Sequence, residues 1–185
     1  WGTDGPTALM DWYRICKYDP AFRDGTGAYQ RDEWTSVSDI GRTFDGVTLD
    51  ASTYLATETA YVRAIREFMT DAGVTMLRVA ALEPPPDLDP LVKYQLPDAE
   101  PLARLAHEIR DGMELSGTEL DLACRLNLRE VLWCRLEQPA RLVVETSYDY
   151  YLHIGTAATS ERAITKVHEL GLFVHEAPDL ARGRE

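Results

Sequence analysis

The sequence predicts an α+β protein in which a mixed β-sheet packs against helices on one face and ends in a C-terminal βαβ unit. Apolar residues recur at three- and four-residue steps between Tyr54 and Met69, which is typical of an amphipathic helix. Short β-branched and aromatic runs with period-two alternation occur on both sides of this helix. Near the C-terminus, a strand, a helix and a strand follow at a spacing that suits a right-handed crossover.

The N-terminal part is predicted to be a strand, a long loop and the amphipathic helix. Residues 11–18 are aromatic and β-branched and alternate in polarity, which favours a strand. Residues 21–46 are rich in turn residues, so we expect a loop that is functional or that contains short elements. Thr48 or Asp50 can cap the helix, and Gly73 stands where a left-handed residue would end it.

The middle of the chain combines a strand with a proline-rich segment. Residues 75–82 predict a strand, and residues 83–101 hold six of the ten prolines. This density disfavours a helix or a central strand, so we predict an internal surface loop, with two subdomains as the alternative. Residues 1–9 are interpreted as a lead-in or a cloning remnant, and 10–185 as a single domain.

The back half contains two further helices and a series of strands. A short helix is predicted at 102–109, and Ser116 or Thr118 can cap the next one. Thr159 or Ser160 can cap the helix of the βαβ unit. The predicted strands cover 131–136 and 141–145, which form a hairpin, 150–154, and 172–175.

The charge is acidic: 19 Lys and Arg against 31 Asp and Glu leave a net charge of −12. A negative field repels phosphate backbones and anionic lipids, so nucleic acid and membrane surfaces are unlikely partners unless the basic residues gather on one face. A basic protein partner fits this field, and maintenance of solubility is the alternative explanation.

Three cysteines, with no C-x-x-C pair, predict reduced thiols in a cytoplasmic protein rather than a disulfide or zinc framework. No apolar run approaches the length of a membrane span. The phosphate-loop, dinucleotide, zinc-protease and nucleophile-elbow motifs are absent, so we expect no cofactor and no metal, and the catalytic residues are unknown.

The chain resembles a family of small uncharacterised bacterial proteins across most of residues 10–176. The resemblance rests on Lys17-Tyr18-Asp19-Pro20, Phe22-Arg23, Asp32-Glu33-Trp34-Thr35-Ser36, Asp39-Ile40-Gly41, Arg129-Glu130-Val131-Leu132-Trp133-Cys134 and Tyr148-Asp149-Tyr150-Tyr151. It implies a bacterial source and assigns no catalytic residue.

The loop at residues 22–41 is the principal candidate binding site, because polar and aromatic side chains on loops commonly form binding surfaces. Trp34, beside Asp32 and Glu33, could anchor a basic partner. Alternatively, Trp34 packs into the core and Ser36 or Ser38 caps a turn. The candidate binding residues are Arg23, Asp24, Tyr29, Asp32, Glu33, Trp34 and Asp39 on the loop, with Tyr148 and Tyr151 on a later aromatic run.

Carboxylates and histidines offer weaker alternatives. Asp121 with Glu130, or Asp32 with Glu33, could act as acid and base, although an acidic chain always offers such pairs. His153 and His175 would lie on neighbouring strands of the βαβ unit and could share a site, whereas solvent-exposed or satisfied histidines are the ordinary interpretation.

The leading functional hypothesis is an intracellular protein-binding module, in its concrete form an inhibitor or immunity-type protein for a basic partner. The alternative is an enzyme or small-ligand-binding protein with a pocket between the 22–41 loop and the sheet, where Arg14, Arg23 or His153 would converge. Nucleotide or RNA binding through Arg23, Arg31, Trp34 and Tyr29 is the third hypothesis, and the overall charge opposes it.

Overall fold

A computed structural model describes residues 10–83 and 86–182, so the predicted lead-in at residues 1–9 lies outside the described residues. Its elements follow the chain in the order strand, hairpin, helix, then alternating strands and helices. They are β1 (Asp11–Cys16), β2 (Thr43–Phe44), β3 (Val47–Thr48), α1 (Ala51–Asp71), β4 (Met76–Glu83), α2 (Asp89–Lys93), α3 (Ala99–Glu108), β5 (Glu114–Ser116), α4 (Gly117–Leu128), β6 (Trp133–Gln138), β7 (Leu142–Ser147), β8 (Tyr151–Thr156), α5 (Glu161–Glu169), β9 (Phe173–Glu176) and α6 (Asp179–Arg182).

Seven strands form one sheet in the order β5-β4-β6-β7-β8-β1-β9, and β2 with β3 forms a separate hairpin. Each pair of neighbours in the large sheet is antiparallel. Strands β8 and β9 both run antiparallel to β1, so they run parallel to each other. The α+β class and the C-terminal strand–helix–strand unit are confirmed, whereas the sheet is antiparallel between all neighbours rather than mixed, because β1 separates the two parallel strands.

The expected adjacency of β8 and β9 is wrong, because β1 lies between them. Sequence spacing showed that a crossover helix could connect the two strands, but it carried no information about a third strand from the other end of the chain. His153 and His175 are therefore on strands that are two positions apart, with Arg14 of β1 directly opposite both.

The core lies between one face of the sheet and the helices. Helix α1 packs on α5 and α4, and α4 also contacts β4 and β6. The period-two alternation of the strands supplies the apolar floor. The buried floor residues include Ile15, Leu77, Val79, Leu136, Val144, Leu152 and Ile154. Buried apolar side chains from both halves of the chain form one cluster.

Helix α1 begins at Asp50, one of the two predicted caps, whose carboxylate accepts a hydrogen bond from the Thr53 N–H at 2.7 Å. Gly73 follows the helix with φ +61°, a conformation that favours glycine. Tyr54, Tyr61 and Phe68 are fully buried. The predicted amphipathic helix and its terminal signals are therefore present.

The proline-rich segment is not extended throughout. Helix α2 begins at Asp89 with Pro90 in its first turn, where a proline removes no helical hydrogen bond. Leu91 and Leu96 are buried and hold the segment against the core. Strand β5, which the sequence pattern did not predict, then forms one edge of the sheet.

Candidate functional site

The 22–41 loop is held in shape by its own acidic side chains. The Asp24 carboxylate accepts hydrogen bonds from the Thr26 hydroxyl at 2.7 Å and the Ala28 N–H at 3.0 Å. Asp39 is buried and accepts from the backbone N–H groups of Thr35 and Ser36. Asp24 and Asp39, which were both predicted to bind a partner, therefore stabilise turns, and their carboxylates are hydrogen-bonded to neighbouring groups of the chain.

Trp34 lies in the core, where its side chain is 6% exposed. Its ring centroid is 5.0 Å from that of Tyr150 and 5.6 Å from that of Tyr54. The expectation that Trp34 anchors an external partner is wrong, because α1 and the Tyr150 turn offer it an aromatic environment next to the loop. The alternative is correct, and Ser36 caps the following turn in a capping box.

Glu33 is paired with Lys17, which is buried beneath the loop. The Lys17 Nζ lies 3.0 Å from a Glu33 carboxylate oxygen and 4.0 Å from the Trp34 ring centroid. Burial lowers the pKa of the Lys17 ammonium to about 8, and Glu33 opposes this shift. The pair attaches the loop to the end of β1. Asp32, the neighbouring predicted residue, is exposed.

Two cavities lie where the loop meets α1, and Glu33 and Trp34 contribute to both. One, of about 210 Å³, also involves the β2–β3 hairpin. The other, of about 340 Å³, extends to α1 and to residues 170–172. Arg14 and His153 line neither cavity. Both cavities therefore lie between the loop and α1, whereas the pocket was predicted between the loop and the sheet.

The proposed acid–base pair of Asp121 and Glu130 is not supported by the geometry. Asp121 is inside α4 and forms an ion pair with Arg66 at 2.8 Å, whereas Glu130 follows the end of that helix. Nine residues of helical rise separate two such positions by roughly 13 Å, beyond the range of paired glycosidase carboxylates. Burial raises the pKa of Glu130. The two residues do not form one site.

The aromatic run at residues 148–151 is divided among three environments. Tyr148 is 79% exposed and its ring lies against that of Trp133, with 5.7 Å between centroids. Tyr150 is buried beside Trp34, and Tyr151 lies half-buried on the opposite face of the sheet. Of the two predicted binding residues, Tyr148 is thus an exposed ring and Tyr151 belongs to the helix-free face.

The helix-free face is the side of the sheet opposite the core helices α1, α4 and α5, although the short helix α6 contacts β1. At β8, β1 and β9 this face carries His153, Arg14 and His175 in one register row. Arg23 and Tyr29 of the loop also reach this face, where the Arg23 guanidinium donates to the Tyr151 hydroxyl at 3.0 Å. Among residues 10–83 and 86–182, no three His, Cys, Asp or Glu side chains are arranged to hold a metal ion.

The cysteines are buried thiols. Burial raises the pKa of Cys124 to about 12 and that of Cys134 to about 11, and it also raises the pKa of Cys16. These thiols stay protonated at neutral pH, so they are poor nucleophiles.

A further concentration of acidic residues, outside the predicted binding loop, occurs in the segment from Glu83 to Glu114 that connects β4 to the edge strand β5. This segment holds eight acidic residues against three basic ones, and each of the eight is exposed. The members of this acidic surface are Glu83, Asp87, Asp89, Asp98, Glu100, Glu108, Asp111 and Glu114. A count of charges along the chain finds this excess of acidic residues, whereas the proline content of the segment indicates only its backbone conformation.

No protein-family model, no curated protein and no solved structure matches the chain. In the part of the chain that the structure describes, no helix has the length and apolar character needed to cross a membrane.

Proposed function

We propose that the protein binds a partner protein with a basic contact surface, and that the acidic surface at residues 83–114 is its side of the contact. An inhibitor or immunity-type role in the cytoplasm is the concrete form of this proposal. The observation that carries it is the exposure of all eight carboxylates of the segment, which leaves their charge available to a partner.

The carboxylates of the acidic surface are engaged less than those of the 22–41 loop. In the loop, Asp24 and Asp39 hold turns and Glu33 neutralises Lys17. On the acidic surface, Asp111 and Asp87 each accept one backbone N–H, and both remain exposed. Asp98 lies 3.7 Å from Arg125 and is itself half-exposed, so solvent screens the pair. The segment between β4 and β5 therefore has five more acidic than basic residues, and each of its carboxylates is exposed.

An apolar group lies within the same segment. Val92 of α2 is 75% exposed, and Tyr94, which follows that helix, is partly buried. Protein interfaces commonly combine an apolar centre with a polar rim, and charges on the rim mainly raise the association rate. The arrangement favours a protein partner over a small cation.

The test compares two variants with the same change in net charge. The surface variant carries Glu83→Gln, Glu100→Gln, Glu108→Gln and Glu114→Gln, and the control carries Asp11→Asn, Asp32→Asn, Glu119→Gln and Glu169→Gln. All eight positions are exposed. Immobilised wild type, surface variant and control are incubated with lysate of the source organism at low ionic strength and eluted with increasing salt.

We expect a basic protein to be retained by the wild type and the control and released by salt, and to be lost from the surface variant. Equal retention by the surface variant and the wild type would overturn the proposal. Loss from the control alone would place the contact outside the acidic surface and would also overturn the proposal.

The second candidate function is small-ligand binding between the loop and α1, and the cavity of about 340 Å³ favours it. The test is a fragment screen observed through the methyl resonances of Ala56 and Ala60, which line this cavity. A bound fragment should shift these two resonances and leave that of Ala140, which is exposed at the β6–β7 turn, unchanged. A screen in which no fragment shifts them would remove this candidate.

A further inference from the structure

Three basic or imidazole side chains lie in one row on the helix-free face, because β1 is inserted between β8 and β9. Arg14 is directly opposite His153 on one side and His175 on the other. The Arg14 Nε donates a long hydrogen bond of 3.4 Å to His153 Nε2. The Arg14 guanidinium carbon is also 5.7 Å from the centroid of the Tyr151 ring.

The 22–41 loop brings a second guanidinium to the same ring. Arg23 pairs with Tyr29 in an isolated β-bridge, which folds the start of the loop back on itself. The Arg23 guanidinium donates to the Gly27 carbonyl oxygen at 2.8 Å and to the Tyr151 hydroxyl at 3.0 Å. Tyr151 therefore positions Arg23 by its hydroxyl and contacts Arg14 by its ring.

The positive charges of Arg14 and Arg23 are only weakly neutralised by carboxylate groups nearby. Arg14 has Asp179 at 3.7 Å, but Asp179 is 72% exposed, so water screens the interaction. Arg23 forms no ion pair with another residue of the described chain, and its hydrogen-bond acceptors above are neutral. By contrast, the Arg78 and Arg135 guanidinium groups lie within 3 Å of Glu137 on the far side of the same face.

His175 responds to both guanidinium groups. Burial, then the charges of Arg23 and Arg14, lower the pKa of its imidazole, and His168 adds to the effect. Its Nε2 is buried and has no hydrogen-bond partner among the described residues. A buried polar atom of this kind calls for a partner of complementary chemistry. Because Arg14 lies opposite His175 on β1 and the charge of Arg23 also acts on the imidazole, a partner of complementary charge is an anion.

We propose that Arg14, Arg23 and His175 bind a phosphate or sulfate group of a small ligand on the helix-free face. Two planar guanidinium groups from different elements can donate to different oxygens of one tetrahedral anion, and His175 Nε2–H can add a third donor. Glu145 lies opposite His153 on β7, and its carboxylate is 3.9 Å from Arg135. This site is separate from the acidic surface and would take a ligand of the opposite charge.

The test uses inorganic phosphate, inorganic sulfate and methyl phosphate at constant ionic strength, with chloride as the balancing anion. The readout is the imidazole Hε1 proton resonance of His175, with that of His107, exposed on α3, as an internal reference. We expect a saturable shift at His175 in the millimolar range and none at His107. If methyl phosphate binds as inorganic phosphate does, the site recognises the terminal phosphate group of a larger ligand. If only inorganic phosphate binds, the ligand is the free phosphate ion.

Variants separate a specific site from general charge screening. Arg14→Gln and Arg23→Gln should each weaken phosphate binding by roughly tenfold or more, since each removes a charged fork. Arg63→Gln, on the exposed side of α1, should leave binding unchanged. If Arg23→Gln disturbs the loop, Arg23→Lys is a second variant that keeps the positive charge. It should bind phosphate with an affinity between those of the wild type and Arg23→Gln.

Two results would overturn the proposal. One is a His175 resonance that chloride shifts as much as phosphate does. The other is equal weakening by Arg63→Gln and Arg14→Gln, which would show that net charge alone determines the response.

Discussion

Arg129 and Glu58 form an ion pair in which each side chain is 1% exposed. The Arg129 Nε donates to one carboxylate oxygen of Glu58 at 2.6 Å, and its Nη2 donates to the other at 2.9 Å. The Arg129 Nη1 donates to the Pro97 carbonyl oxygen at 2.9 Å. One guanidinium thus ties the end of α4 to α1 and to the turn that precedes α3.

Arg129→Met should destabilise the protein by about 3–5 kcal/mol, because it leaves the Glu58 carboxylate buried with only Arg125, at 3.4 Å, as a charged partner. Urea unfolding of the wild type, Arg129→Met, Glu58→Gln and the double variant measures this effect. The double variant should be more stable than the sum of the single losses predicts. Additive losses would contradict a direct coupling, and Arg63→Met on exposed α1 surface is the control.

Lys17→Met should change how stability depends on pH. The unfolded ammonium has a pKa of 10.5 and the folded one about 8, so between these values the unfolded chain binds the extra proton. Stability from this group therefore rises with pH, by up to about 3 kcal/mol over the whole window. Between about pH 7 and pH 9.5, we expect the free energy of unfolding of the wild type to increase relative to that of Lys17→Met.

The Lys17 measurement stays below pH 10 because buried tyrosines act in the opposite direction. Burial raises the pKa of Tyr18, Tyr54 and Tyr61, so the unfolded chain loses those protons first and stability falls. Parallel pH profiles for the wild type and Lys17→Met would show that the folded ammonium is not perturbed by burial.

Gly155→Ala should be destabilising, because a Cβ at this position would lie 2.7 Å from ring carbons of Trp12 on the neighbouring strand. Overpacking of this kind typically costs about 1–3 kcal/mol. The check is chemical unfolding of Gly155→Ala alone and combined with Trp12→Leu, which removes the obstructing ring. If Trp12→Leu restores none of the stability that Gly155→Ala loses, a direct clash with Trp12 is excluded.

The acidic residues of the 22–41 loop should differ sharply in their effect on stability. Asp39→Ala removes the acceptor of two backbone N–H groups and should cost about 1–2 kcal/mol. Asp32→Ala, at an exposed position, should change stability by about 0.5 kcal/mol or less. Thermal unfolding monitored by circular dichroism distinguishes the two, and equal effects would contradict a structural role for Asp39.

Local patterns predicted the elements whose environment is regular. The α1 periodicity reflects one buried face, whereas the aromatic and β-branched content of β1 suits a strand with buried residues on both faces, and the structure has both elements. The proline content of residues 83–101 does not predict helix α2, because proline disfavours helix interiors, whereas Pro90 occupies the first turn, where proline is compatible with a helix. Strand β5 spans only three residues, too few for a period to be visible.

The candidate site was predicted less well, because polarity alone does not distinguish a structural acid from a binding one. Asp24 and Asp39 accept backbone hydrogen bonds that depend on the path of the loop. The convergence of Arg14, Arg23 and Tyr151 requires strand pairings across most of the chain length. Only the parity of Arg14 within β1 was readable, and it put Arg14 on the same side as Trp12 and Cys16.

The insertion of β1 between β8 and β9 has a consequence for biosynthesis. Arg14 and His153 are 139 positions apart, so β1 has no neighbour in the sheet until β8 emerges from the ribosome. Contacts this distant in sequence close slowly, and an unpaired strand exposes backbone groups that other chains can capture. The nascent chain should therefore depend on holding chaperones until its last strands are released, and truncation before β8 should yield insoluble product.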